Sequence, residues 1–194
     1  MTIFFTADQH FFHKNVLTFE QRPFATVEEM NEALIQAWNR VVGYLDTVYV
    51  IGDFVFHKYA NWVEILERLR GQIVLIRGNH DDNKVVKRLV NEGYFYDYHD
   101  VGVYLKVDGH QLWLSHYPME IGLRPKKWSI HGHIHSVPST WDNQINVGVD
   151  SPLLKSLPFG EPLSVEMLVE ILNERTPSIE ERFTLQRNKE ENND

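Results

Sequence analysis

Cysteine is absent from the 194 residues, which excludes a disulfide framework, a thiolate zinc site and a cysteine nucleophile. Positive charge is in short supply: 19 Lys and Arg face 27 Asp and Glu, a formal net charge of −8. That balance argues against a broad basic surface for wrapping duplex nucleic acid. Long apolar runs are also missing, and none approaches the roughly 20 residues that cross a bilayer. The apolar start, Met1 to Thr6, has no basic residues ahead of it and reaches Asp8 and His10 within ten positions, unlike a secretory signal. The expectation is a soluble, cytoplasmic protein without a membrane partner. Internal repeats, low-complexity linkers and composition breaks are absent too, so one domain is expected over 1–186, followed by a polar tail over 187–194. With 43% hydrophobic residues the chain has enough apolar surface for a sizeable core. Histidine is plentiful, at ten residues. In an acidic, cysteine-free chain that points towards metal ligation by imidazole and oxygen.

The first half alternates strand-like and helix-like segments. Ile3 to Thr6, Thr47 to Ile51 and Gln72 to Ile76 are short apolar or β-rich runs. Thr26 and Glu29 form a capping-box signature ahead of Met30, Leu34, Trp38 and Val41, one face of an amphipathic helix. Trp62, Ile65, Leu66 and Leu69 repeat at helical spacing and end at Gly71; Val85, Val86, Leu89 and Val90 do the same and end at Gly93. In the second half, two β-rich runs flank Asp108-Gly109-His110 as a hairpin. Trp128 to Ile130 and Ile145 to Val149 read as strands, and Ser164 to Asn173 reads as a short helix capped by Ser164. Alternation followed by a run of strands predicts an α/β (α+β) fold, a mixed sheet system with helices on its outer faces.

Five polar motifs each follow an apolar run: Asp8-Gln9-His10, Asp53, Asn79-His80-Asp81, His116 and His133-Ile134-His135. Ligands of open α/β sheets bind beyond the carboxyl ends of strands, so the five termini are expected to converge on one crevice. Asp8, His10, Asp53, Asn79, His116, His133 and His135 would then supply carboxylate, amide-oxygen and imidazole donors. His133 and His135 are two apart, which in an extended segment points both to the same side. Seven donors exceed one tetrahedral ion and suit two ions sharing a carboxylate, roughly 3.5–4 Å apart, as in phosphoryl displacement. The donor set suits Mn²⁺, Fe²⁺, Zn²⁺ or Ni²⁺, with Mn²⁺ the first expectation.

The order DxH…GD…GNHD…H…GHxH, running from Asp8 to His135, resembles the calcineurin-like metallophosphoesterases, especially their small bacterial and phage members. The resemblance implies a four-layer αββα sandwich with the site at its strand ends. It implies that Asp8, His10, Asp53 and His135 hold one metal, and that Asp53 bridges to a second held by Asn79, His116 and His133. His80 would face the substrate. The implied reaction is in-line attack on phosphorus by metal-activated hydroxide, with His80 stabilising charge or protonating the leaving oxygen. The protein-phosphatase branch extends its motifs with an Asp and two arginines. Here Phe56 and His57 stand in the second motif, and Asp82-Asn83-Lys84 follow the third. The preferred expectation is therefore a phosphodiesterase acting on a phosphate ester, with a nucleotide or nucleic-acid-derived diester among the candidates. The alternatives are a phosphomonoesterase or protein phosphatase, and a non-catalytic interaction scaffold on the same fold.

Several residues admit two readings. His13 is a substrate-facing or outer-shell group, or caps the following helix. Arg22 reaches substrate or holds its loop, and His57 overlooks the cleft or lies on the surface. Arg124, Lys126 and Lys127 are read as solvated charge, His131 as a core histidine, and His99 and His110 as loop or turn residues. The loop from Lys155 to Gly160 has no assigned purpose.

Overall fold

The computed structural model describes residues 1–56 and 58–191. Two mixed sheets face each other and are flanked by helices. The first takes the order β4-β3-β2-β1-β9, with β1 (Ile3–Thr6), β2 (Thr47–Ile51), β3 (Gln72–Ile76) and β4 (Asp97–His99) parallel, and β9 (Leu163–Ser164) antiparallel to β1. The second takes the order β5-β6-β7-β8: β5 (Gly102–Val107) and β6 (His110–Ser115) form an antiparallel hairpin, to which β7 (Lys127–His131) and β8 (Gln144–Asn146) add in parallel. Asp108 and Gly109 both adopt positive φ, 44° and 78°, the backbone that a two-residue hairpin turn demands.

The apolar runs of β1, β2 and β3 are continuous because both faces of that sheet are covered. Phe4, Val48, Val50, Ile73 and Leu75 pack in one core with residues of α2 (Val27–Val41), α3 (Tyr59–Leu66) and α4 (Asn83–Asn91). Phe5, Ile51 and Ile76 point the other way, into an inter-sheet core with Leu112, Leu114, Trp128, Ile130 and Ile145. The predicted capping box of α2 is present: the Thr26 hydroxyl accepts from the Glu29 amide at 3.1 Å, and the Glu29 carboxylate accepts from the Thr26 amide. Met30, Leu34 and Trp38 are buried on its inner face.

Short elements escape the sequence reading. β4, β9 and α1 (Val16–Phe19) span two to four residues, too few to display a period. The terminal helix departs in the other direction. Ser164 caps it as expected, its hydroxyl accepting from the Met167 amide at 3.3 Å. Yet α5 runs Val165–Glu191, through Pro177 and into the segment read as a tail. Leu168, Leu172 and Ile179 anchor it in the inter-sheet core on both sides of the proline, and that burial offsets the lost backbone bond. Two histidines also need correction. His110 is buried at the start of β6, accepting from the Trp128 indole at 3.0 Å and meeting the Asn173 amide oxygen at 3.0 Å. His99 ends β4, 3.3 Å from Asp97. No helix among the described residues is long and apolar enough to cross a membrane.

Candidate metal centre

The carboxyl ends of five strands, β1, β2, β3, β6 and β7, carry the five motifs to one crevice. Asp8 and His10 follow β1, Asp53 follows β2, Asn79 and His80 follow β3, His116 follows β6, and His133 and His135 follow β7. Asp8, His10, Asp53, His133 and His135 all adopt positive φ, between 49° and 70°. For non-glycine residues such a backbone costs on the order of 1 kcal/mol or more each and clusters at functional sites. The glycines of the motifs follow from crowding. A Cβ on Gly52 (φ 82°) would lie 2.5 Å from His116 Nδ1, and one on Gly132 would lie 2.5 Å from an Asp8 carboxylate oxygen.

Ligand atoms of Asp8, His10 and His135 lie within 4.8 Å of one another, and so do those of Asp53, His116 and His133. Asp53 stands between the groups: its Oδ2 is 3.6 Å from His10 Nε2 and 3.3 Å from His116 Nε2. Asn79 joins the second group through Oδ1, 3.0 Å from His116 Nε2. All seven donors named from the sequence therefore meet. The spacing argument for His133 and His135 does not hold, however. Their segment is a bend with left-handed backbone at both residues, and the two side chains enter different groups.

The electrostatics suit cations. Burial raises the Asp8 carboxyl to about 7, against the opposing charges of His135 and His116. Burial lowers His10 to about 2, so its ring is neutral. Burial would raise Asp53, but the bond and charge of His116, the His80 amide and His10 outweigh it and bring the carboxylate to about 2. His116 is also pulled by burial towards neutrality, yet Asp53 and Asp8 lift it to about 9. Its Nδ1–H donates to the Ile51 carbonyl at 2.9 Å, so the extra proton sits on Nε2, between Asp53 and Asn79. His10 Nε2 is buried without a hydrogen-bond partner among the described residues. An orphaned imidazole nitrogen facing a carboxylate, beside a histidine that holds a proton between two oxygens, fits a divalent cation.

His80 lies exposed at the mouth, its backbone amide donating to Asp53 Oδ1 at 2.8 Å and its ring 5.4 Å from that of His10. Among the described residues no carboxylate hydrogen-bonds the His80 ring. The ring of Phe56 is 6.1 Å away. Asn15, not His13, holds the N-cap position of α1; His13 Nδ1 meets His10 Nδ1 at 3.3 Å, and its ring stacks on Phe56 at 4.0 Å. Tyr117, half exposed, sets its ring 4.5 Å from that of His133. His131 is the expected core histidine, bonded to the Gly132 carbonyl and the Ser139 hydroxyl. Arg124 packs over the Phe183 ring of α5. His57 lies outside the described residues.

Three further residues frame the centre. Arg22 is buried and holds its loop: it donates to the Asp8 and Gln9 carbonyls, 2.7 Å each, and to both oxygens of Asp150. Asp150, which the sequence reading leaves out, accepts from His135 Nδ1 at 3.0 Å. Asp81, fully buried, accepts from the amides of Asp53, Phe54 and Gly78. Its place in the GNHD motif was the available signal; nothing local marks Asp150. The Lys155–Gly160 loop lines a cavity of about 430 Å³ together with Glu20, Arg22 and Asp150.

Residues 1–175 match the calcineurin-like phosphoesterase family, and the chain belongs to that family. It is thus a metal-dependent phosphoesterase, whose substrates are phosphate esters. It is 37% identical to an uncharacterized protein of Methanocaldococcus jannaschii over 137 residues, covering 69% of each chain. It is 32% identical to the gene 66 protein of Mycobacterium phage L5, over 76% of this chain and 86% of that one. A protein of unknown function from Aquifex aeolicus has the same fold, with a TM-score of 0.68 at 24% identity, over 88% of this chain and 98% of that one.

Proposed function

We propose that the protein is a dinuclear metal-dependent phosphodiesterase. The observation that carries the reading is the position of Asp53 Oδ2 between His10 of one donor group and His116 of the other, as a bridging carboxylate requires. Asp8, His10, Asp53 and His135 would hold one ion; Asp53, Asn79, His116 and His133 would hold the other. When bound, such a pair supplies Lewis-acid polarisation of phosphoryl oxygens and a nucleophile from water near neutral pH, and Mn²⁺ suits the donors.

The chain's own residues do the rest. Asp53 accepts the His80 amide and so fixes the loop that presents the His80 ring to the substrate, where it stabilises charge or delivers a proton to the leaving oxygen. The second charge of a monoester dianion favours arginines beside the reacting phosphate. Among the described residues, Phe56 and His13 stand next to His80, Arg22 is committed to backbone and Asp150, and Arg77 pairs with Asp100. This supports a diester, such as one derived from a nucleotide or nucleic acid. Hydrolysis of bis-p-nitrophenyl phosphate in Mn²⁺ should exceed that of p-nitrophenyl phosphate. The reverse ranking would move the protein to the monoesterases, and hydrolysis of neither with any tested metal would defeat the catalytic reading.

A further inference from the structure

The guanidinium of Arg22 has all five of its N–H groups committed. Nε and Nη2 bind the two Asp150 oxygens at 2.9 and 2.7 Å; Nη2 also donates to the Asp8 carbonyl, and Nη1 to the Gln9 carbonyl and Met30 Sδ. Both partners are buried, with side-chain exposures of 0% and 5%, and they are 128 positions apart in sequence. The carbonyls it grips belong to the stretch in which Asp8 and His10 hold positive φ. The Asp150 oxygen it fixes accepts the His135 Nδ1 proton, which leaves Nε2 as the lone-pair nitrogen. One cation thus sets the backbone of two members of the first donor group and the tautomer of the third.

The second group has a different support. Asp81 accepts from Asp53 and Gly78 through one oxygen, at 2.9 and 2.8 Å, and from Phe54 through the other, at 2.9 Å. It joins the loop after β2, which carries Asp53 (φ 54°), to the loop after β3, which carries Asn79. Arg22 and Asp150 on one side, and Asp81 on the other, share no hydrogen-bond partner among the described residues, and the two loops they hold meet where the His10 amide donates to the Asp53 carbonyl at 3.0 Å.

We propose that the centre is held by two buried clamps of unequal reach: Arg22–Asp150 positions Asp8, His10 and His135, and Asp81 positions Asn79 and the shared Asp53. Loss of the Arg22–Asp150 clamp therefore falls on the first ion alone, whereas loss of the Asp81 clamp, which holds the shared Asp53, falls on both. These are positioning residues, because they touch the ligand-bearing backbone and side chains rather than substrate. The inference rests on the dinuclear reading above.

The test is Mn²⁺ titration of the full chain by calorimetry, with electron paramagnetic resonance to report coupling between the ions. The wild type should bind two equivalents as a coupled pair. Asp150→Asn should weaken one equivalent about 10- to 100-fold and give the uncoupled signal of a single ion. A second change, His133→Ala, should then abolish the remaining ion, and His10→Ala should leave it. Asp81→Asn should weaken both equivalents, because the Asp53 it positions is shared between them. If Asp150→Asn fails to fold, Arg22→Lys tests the same clamp, because three N–H donors cannot replace five. Equal weakening of both ions in Asp150→Asn, or loss of one ion alone in Asp81→Asn, overturns the proposal. Fewer than two equivalents in the wild type overturns the dinuclear reading and the proposal with it.

Discussion

Gly132→Ala tests how tightly the first donor group is packed. Gly132 lies between β7 and the His133–His135 bend, and its φ is not in the left-handed region, so alanine brings no backbone penalty. Its effect is steric alone. The new Cβ would stand 2.5 Å from Asp8 Oδ2 and 2.6 Å from Ala7 Cβ, where non-bonded carbon contacts settle at about 3.5–4.0 Å. Something must move by about 1 Å, and neither neighbour yields easily. Ala7 is fully buried and bridged to Gly148, and the Asp8 carboxylate accepts from the His133 amide through both oxygens. Overpacking of this kind costs about 1–3 kcal/mol. In a chain of this size that corresponds to a fall in Tm of roughly 2–12 °C, read by thermal unfolding of the metal-free protein. Metal sites tolerate about 0.2 Å in their ligand distances. The displaced carboxylate should therefore weaken the first ion selectively and reduce diester turnover on the order of 100-fold. Gly109→Ala is the control: its Cβ meets nothing within 4 Å, but its φ of 78° strains alanine, so it should lower Tm and leave Mn²⁺ stoichiometry at the wild-type value. Wild-type metal affinity and turnover in Gly132→Ala would refute the crowding argument.

His80→Ala should retain both Mn²⁺ equivalents and lose about 10²-fold or more of turnover; an unchanged kcat would remove His80 from the reaction. His110→Ala should leave metal binding intact and destabilise the protein by about 1–3 kcal/mol, because it strands the buried Trp128 indole N–H; denaturant unfolding reads this, and an unchanged midpoint would contradict it. Metal uptake should release protons, because the metal-free protein holds one on Asp8 below about 7 and one on His116 below about 9. Both must leave before a cation is ligated. Affinity should thus climb steeply with pH up to about 7, less steeply to about 9, and level off above. Calorimetry in buffers of different ionisation heat measures the protons, and a pH-independent affinity would refute the assignment.

What the sequence discloses about this centre is its donors, and the physics explains why. Each donor follows directly on a buried strand, so residue type and position are local facts: an apolar run, then Asp, Asn or His. The same locality makes β1, β2, β3 and the capped α2 legible. The frame is not local. The Arg22–Asp150 pair joins residues 128 positions apart, and an isolated Asp before Ser151 carries no mark of its destination. The two-residue parity argument for His133 and His135 failed for a related reason. It assumes an extended chain, whereas five donors here sit in left-handed backbone, the conformation that sequence propensity least favours outside glycine. That conformation persists because carbonyls and amides on both sides are held, by Arg22 at Asp8 and Gln9 and by Asp81 at Asp53, Phe54 and Gly78. Strained ligand loops and buried clamps are thus one design. The strain aims the donors inward, and the long-range contacts that sustain it leave no pattern in any window of the chain.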